Sequence, residues 1–285
     1  MIEKFLIGSD PEFSCFNIKT NRHVSLVNYI EGTKDNKVKS FVEGCFHQLD
    51  NVGIEFDIPP QTEWGYLEVL IENCIKSTEE YLMSINKNFR ISFDSSAFFP
   101  ASHLKSKIAK TFGCEPSYNI YNESIYIPPE VSMLPNLRCF GFHLHFGFDH
   151  GISVNEVQDF IFICDLLMGI PFNINDQTNV NRVLSYGFLG DMRVDIKDIN
   201  PFSKEEAAEL TYKRIEYRSL GVGVWKKLDI IRSGIKNILP LLPHVKELRS
   251  LYFNQITEMV ITKVIDYEVL MQINKEINLF LKERI

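Results

Sequence analysis

Arg138-Cys-Phe-Gly-Phe-His-Leu-His-Phe-Gly-Phe148 is the stretch from which the rest of the chain is best read. With the two-residue period of a strand it divides into two unlike faces. Phe140, Phe142, Leu144, Phe146 and Phe148 make one face, apolar throughout, and predict a strand packed on a core. Cys139, Gly141, His143, His145 and Gly147 make the other, two imidazoles with a glycine on either side. That second face has nitrogen ligands or donors and space for something to approach the backbone closely.

Working outward, three more segments carry a same-face pair of charged residues. Lys4 to Asn17 reads as a strand with Asp10 and Glu12 on one side and Phe13 and Cys15 on the other. Pro11 lies between the acids and cannot donate to a ladder, so this strand is expected at an edge, bulged, or ending there. Val52 to Ile58 alternates likewise, with Glu55 and Asp57 opposite Ile54, Phe56 and Ile58. Arg214 to Leu220 places Arg214, Glu216 and Arg218 together. A half-buried strand ordinarily mixes polar residues on its wet face, so repeated acidic pairs are unusual.

The remaining pattern is helical or loop-like. Thr62 to Asn86 repeats apolar residues at helix spacing, from Leu67 to Ile85. Phe89 to Phe93 reads as a strand, Lys105 to Phe112 as a short helix closed by Gly113, and 113–118 and 127–129 as loops. Ser153-Val-Asn-Glu156 is a capping box opening a helix to about Met168, with Gly169 and Pro171 expected to end it. Asn173 to Val194 reads as a long polar loop carrying Arg182 and Arg193, of a length that is usually functional. Lys204 to Thr211 is an expected short helix, and from Trp225 onward the chain is helical, with breaks at Pro240 and Pro243 and a last helix from Asp266.

Bulk properties narrow the class. The 285 residues are 45% hydrophobic and 24% charged with net charge -7, so a globular chain is expected, with no nucleic-acid or membrane partner. Six scattered cysteines without a C-x-x-C pair, and an N-terminus without a leader pattern, predict reduced thiols in the cytoplasm. The most apolar segment, Phe160 to Phe172, is interrupted by Asp165 and reads as too short to span a bilayer.

Singly, each acidic pair can be a solvated face, and His23, His47, His103 and His244 read as ordinary surface or core residues. In combination the pairs point to chemistry. Carboxylates converging in a dry site need cations between them, and oxygen ligands with an imidazole suit Mg²⁺ or Mn²⁺. Arginines on the same surface then call for an anion such as phosphate. No Walker or G-x-G-x-x-G loop is present to hold phosphates by backbone, so metals and arginines would do so.

The order Asp-Pro-Glu-Phe, Gly-Ile-Glu-Phe-Asp, Gly-x-His-x-His-x-Gly and Ile-Glu-Tyr-Arg resembles the phage-type carboxylate–amine ligases, relatives of glutamine synthetase and glutamate–cysteine ligase. Gly113-Cys-Glu-Pro116, Tyr186-Gly-Phe-Leu-Gly-Asp-Met-Arg193 and Leu220-Gly-x-x-x-Trp225 extend it, from about residue 5 to 226. The resemblance implies an α+β fold, a curved antiparallel sheet with helices on one face. It would form one catalytic domain over 1–285, with a helical part at 226–285 packed on it. It implies ATP and divalent metals as cofactors, with small-molecule or peptide carboxylates and amines as substrates. By motif, Glu12, Glu55 and Asp57 fall on the substrate-side metal, and Asp10, His143 and Glu216 on the metal at the ATP phosphates. Arg193, Arg218 and Arg182 fall on the phosphates, and His145 on site orientation or substrate. Asp10 stands where the synthetases carry glutamate. Two rivals are a mononuclear H-x-H metalloenzyme, cupin-like through Asp149 or a hydrolase, and a ligase-like fold kept as an inactive binding protein.

Overall fold

The computed structural model describes residues 2–110, 117–126, 135–195, 201–203 and 210–285. The motif at 113–116, the loop at 127–129 and residues 204–209 of the helix expected over 204–211 lie outside them. The strands in chain order are β1 (Leu6–Asn17), β2 (Arg22–Val24), β3 (Val38–Lys39), β4 (Phe46–Asp50), β5 (Gly53–Gln61), β6 (Phe89–Ser92), β7 (Ser96–Phe98), β8 (Ser117–Asn119), β9 (Ser124–Tyr126), β10 (Leu137–Cys139), β11 (Phe142–Ile152), β12 (Asp191–Val194) and β13 (Tyr212–Tyr217).

Eleven of these form one sheet in the order β3-β4-β5-β1-β11-β13-β12-β8-β9, with β2 and β6 also pairing to β1. Its pairings are antiparallel throughout the described residues, and the fold is α+β. β1 is the axis of this sheet. Its first half lies between β5 and β11, and its second half pairs with β2 and β6.

The apolar face of the histidine strand is buried as its alternation predicts: Phe142, Leu144 and Phe146 are fully enclosed. Phe146 packs edge-on to Phe160 at 4.9 Å between ring centroids, and Trp64 and Trp225 approach Phe142 at 6.5 and 6.0 Å. Trp64 opens the helix Trp64–Ile85, which buries one stripe, and Phe160 lies on Val154–Cys164, which is buried all round from Phe160 to its end. Each fully buried side chain of this size contributes about 1.5–3 kcal/mol.

The structure departs from the sequence reading in several places. Residues 138–148 are not one strand. β10 pairs with β7, and β11 begins only at Phe142. The break arises because the intervening N–H groups are used off the ladder: Phe140 donates to Ser95 O, Gly141 to the Glu12 carboxylate and Phe142 to Leu220 O. Pro11 neither ends β1 nor puts it at an edge. It occupies the last rung of the β1–β11 ladder, where a missing donor removes least, and pairing with β5 carries the strand onward.

Pro171 does not stop the helix opened at Ser153 either. The chain passes through a π-turn, Asp165–Gly169, and continues as Ile170–Asn175. The wider turn makes room for the ring ahead of it. The continuous run Val154–Asn175 is therefore 22 residues long, with mean hydropathy 1.5, enough by length to cross a bilayer, but 78% of its apolar window is buried inside this fold. Last, the expected loop 173–194 contains a helix, Asn179–Ser185, and then β12.

The C-terminal helices are Leu228–Leu241, Val245–Thr262 and Tyr267–Arg284; the expected break falls at Pro243, whereas Pro240 lies inside the first helix, and Asp266 caps the last by accepting from the N–H groups of Glu268 and Val269. They contribute Ile231, Ile238, Leu248, Leu270, Ile273 and Ile277 to the same core.

The Ser153 hydroxyl accepts from Glu156 N while Glu156 answers to Ser153 N, a complete capping box. Ser153→Ala is expected to lower the urea unfolding free energy by about 1 kcal/mol, and Phe146→Ala by about 3–5 kcal/mol. Equal losses would mean that the β11–helix packing does not carry the core.

Candidate functional site

Cross-strand register, which no single segment reveals, assembles the site. Glu12 on β1 lies opposite Glu55 on β5, and Asp10 lies opposite His143 on β11. His145 pairs with Glu216 on β13, which in turn pairs with Arg193 on β12. Five adjacent strands thus carry one continuous row of charged and imidazole groups on the face opposite the apolar core.

The row resolves into two groups. Asp10, His145 and Glu216 each present one ligand atom, all within 4.8 Å of one another, and so do Glu12, Asp50 and Glu55. His143 stands between them. Its Nδ1 is 3.3 Å from Asp10 Oδ1, 3.3 Å from Glu216 Oε1 and 4.0 Å from Glu12 Oε1. His145 Nε2 is 3.3 Å from Asp10 Oδ2. Yet Asp10 Oδ1 and His145 Nε2, both buried, close no hydrogen bond. These atoms are near enough to attract and wrongly angled to bond one another, as ligands converging on a shared point would be. This donor set, carboxylate oxygens with one or two imidazoles, fits Mg²⁺ or Mn²⁺.

The backbone is shaped for this arrangement. A Cβ at Gly141 would come within 2.2 Å of His143 Nε2, so the imidazole lies where any side chain at 141 would be. The same glycine donates its N–H to Glu12 Oε2 at 2.6 Å, and Glu12 N returns a bond to Gly141 O. Asp50 arrives through a tight hairpin, with Asn51 at φ 52 linking β4 to β5. Asparagine tolerates that left-handed backbone better than most residues. Gln48, beside Asp50 on the same face, donates to Glu55 Oε2 at 2.9 Å.

Charge state divides along the same line. Burial raises the Asp10 carboxyl, but His145 and His143 outweigh it and hold the group well below the usual range. Burial also acts on Glu216, and Arg218, with His143 and Arg193, brings it down to about 2. Burial and the Arg218 charge press His143 down to about 4, leaving a neutral imidazole with a lone pair to give. On the other side burial, with Asp50 close by, pushes Glu12 up to about 8. Burial and the neighbouring acids raise Glu55 as well, and burial raises Asp50. The carboxyls of the first group are thus drawn down by neighbouring cations, and those of the second are pushed up by burial and by one another.

Arg218 Nη1 contacts Glu216 Oε1, and Arg193 Nη1 lies 3.5 Å from the same oxygen, so both expected phosphate ligands are at the site. Arg182 is not. It is fully buried, and its guanidinium donates to the carbonyls of Gly187 at 2.9 Å and Arg218 at 2.7 Å, with Ser219 at 3.4 Å. It stacks on the Tyr186 ring at 4.7 Å and braces the chain beneath Arg218, which corrects the expectation that it contacts phosphate. Asp57 also stays outside both groups. It shares the face of Glu55 but pairs with Lys37 at 2.5 Å, half exposed at the rim, so Glu55 is the acid of that strand that joins the cluster. Asp149, the ligand a cupin-like centre would need, is exposed and paired with Lys4.

Two participants escaped the sequence reading. Asp50 lies on β4, whose Gln48/Asp50 alternation followed by Asn51-x-Gly53 was the available signal. Tyr186, between Arg182 and Arg218, brings its hydroxyl 3.5 Å from Glu12 Oε2, and only the fold reveals this.

No family model matches this chain, and no curated protein matches it in sequence. Among solved structures, glutamine synthetase of Plasmodium falciparum is similar over 84% of this chain and 52% of its own, at 11% identity and a TM-score of 0.40. This chain spans about half the length of that protein.

The charge division predicts a pH dependence. Glu12, Asp50 and Glu55 have folded pKa values above their unfolded ones, as does His145, so each contributes stability at low pH that is lost as pH rises. His143 acts in the opposite sense, but only up to its unfolded value of 6.5. Between about pH 6.5 and 8 the cation-free protein should therefore lose thermal stability, and millimolar Mn²⁺ should reverse the slope. A melting temperature that is flat across this window and unmoved by Mn²⁺ would contradict the charge assignment.

Proposed function

We propose that this chain is an ATP-dependent carboxylate–amine ligase that forms an amide or isopeptide bond through an acyl phosphate. The observation that supports this most is Glu216, which meets His143 and His145 on one side and Arg193 and Arg218 on the other. A carboxylate shared between metal-type ligands and two guanidinium groups suits a site where a cation and a polyphosphate meet. The motif resemblance adds the reaction class.

In this reading Asp10, His145, Glu216 and His143 would hold one divalent cation, and Glu12, Asp50 and Glu55 a second. Such cations, when bound, neutralise phosphate oxygens. The residues of the chain do the rest. Arg193 and Arg218 stabilise the charge that spreads over the phosphoryl group as its bond to ADP breaks and a bond to the substrate carboxylate forms. The amine nitrogen then attacks the acyl carbon, the bond to phosphate breaks, and inorganic phosphate leaves. A substrate ammonium must lose a proton before its nitrogen can attack, and Asp57, a rim carboxylate outside both groups and paired with Lys37, would take that proton. The buried His143, with Nδ1 facing both Asp10 and Glu216, would bring its nitrogen to the first of these sets.

The test is ADP release by the purified protein with Mg²⁺ and ATP across paired carboxylates and amines, with product read by mass spectrometry. Glu216→Gln and Arg193→Ala should each reduce turnover by about 100-fold or more with the fold intact by circular dichroism. Full activity in both variants would remove the assignment. Tight Zn²⁺ or iron with no effect of ATP would favour the mononuclear H-x-H enzyme instead.

A further inference from the structure

On the core side of the sheet, behind the candidate site, lies a carboxylate that the proposed chemistry does not use. Asp165 opens the π-turn and is fully enclosed. Its Oδ1 accepts from the Tyr217 hydroxyl at 2.8 Å and its Oδ2 from the Tyr121 hydroxyl at 2.8 Å. No ion pair reaches it among the described residues, and burial pushes it up to about 7. A desolvated acid without a counter-ion is costly, and an apolar side chain would pack there at less cost. The neighbourhood is also built around it. A Cβ at Gly169 would come within 2.5 Å of the Tyr217 hydroxyl oxygen and 2.8 Å of Asp165 Oδ1.

Tyr217 is where this buried acid touches the site. It forms the last rung of both ladders of β13, opposite Leu144 on β11 and Met192 on β12. Glu216 is one rung in, and Arg218 lies just past the end, held by its N–H to Asp191 O at 3.0 Å. Sheet pairing therefore runs out at the residues that must be placed most accurately. Alternation turns Tyr217 to the core as it turns Glu216 and Arg218 to the site.

We propose that Asp165 is a positioning residue: through the Tyr217 hydroxyl it fixes the end of β13 and so sets where Glu216 and Arg218 stand. This rests on the proposed cation site for its function, but its geometry can be tested without a cation. Tyr217→Phe and Tyr121→Phe each remove one phenol donor from the same carboxylate, so the two are matched in local disruption. Only the first removes the bond to β13 itself; Ser219, two residues further on, also reaches the carboxylate and is common to both variants. Tyr217→Phe should weaken Mn²⁺ binding by about 10-fold or more, the range for groups that orient metal ligands, while Tyr121→Phe changes it less than about 2-fold. In cation-free protein, the imidazole ¹⁵N shifts of His143 and His145, which face Glu216, should move in Tyr217→Phe and stay put in Tyr121→Phe. Equal shifts in the two variants, or none in either, would overturn the proposal. Wild-type protein without Mn²⁺ affinity would sink the cation reading, and the imidazole shifts would still decide the positioning claim.

Discussion

Repulsion among carboxylates held on one sheet face is the constraint to which the other features answer. Asp10, Glu12, Asp50, Glu55 and Glu216 cannot all ionise there unaided. The protein meets this in two ways. Beside Asp10 and Glu216 it supplies imidazoles and the guanidinium groups of Arg193 and Arg218, and those acids stay charged. Around Glu12, Asp50 and Glu55 burial and mutual repulsion outweigh the Gly141 N–H, the Gln48 amide and the more distant cationic groups, and those acids are pushed up. A divalent cation placed in either group replaces protons or cationic side chains with stronger compensation.

The scaffold places each group by strand pairing and keeps it there by enclosure. Five strands carry the row, and their opposite face is sealed by Phe142, Leu144, Phe146 and the helices behind them. Gly141 serves both sides of the division, making space for the His143 ring and bonding Glu12. Arg182 and Asp191 brace the segment behind Arg218, and Asp165 holds the strand end from the core.

Much of this was legible in the sequence because alternation is a local signal. The faces of the histidine strand, the pairs Asp10/Glu12 and Glu216/Arg218, and the caps at Ser153 and Asp266 needed only a few neighbouring residues. What was not legible depended on distant ones. Pro11 and Pro171 read as stops, since nothing nearby reports that β5 carries β1 onward or that a π-turn admits the ring. Arg182 read as a phosphate ligand because its carbonyl partners, Gly187 and Arg218, are brought to it by a chain reversal. Asp50 was missed because its partners lie on β1 and β5; the local Gln48/Asp50 alternation hints at a strand, and the register joins it to the site.

The central claim is that this face binds divalent cations with its own carboxylates and imidazoles. Crystals grown with Mn²⁺ and measured at the manganese edge test it directly. The account predicts anomalous peaks between Glu12, Asp50 and Glu55 and beside Asp10, His145 and Glu216. Ordered waters alone at both places, with Mn²⁺ absent or bound elsewhere on the molecule, would contradict it.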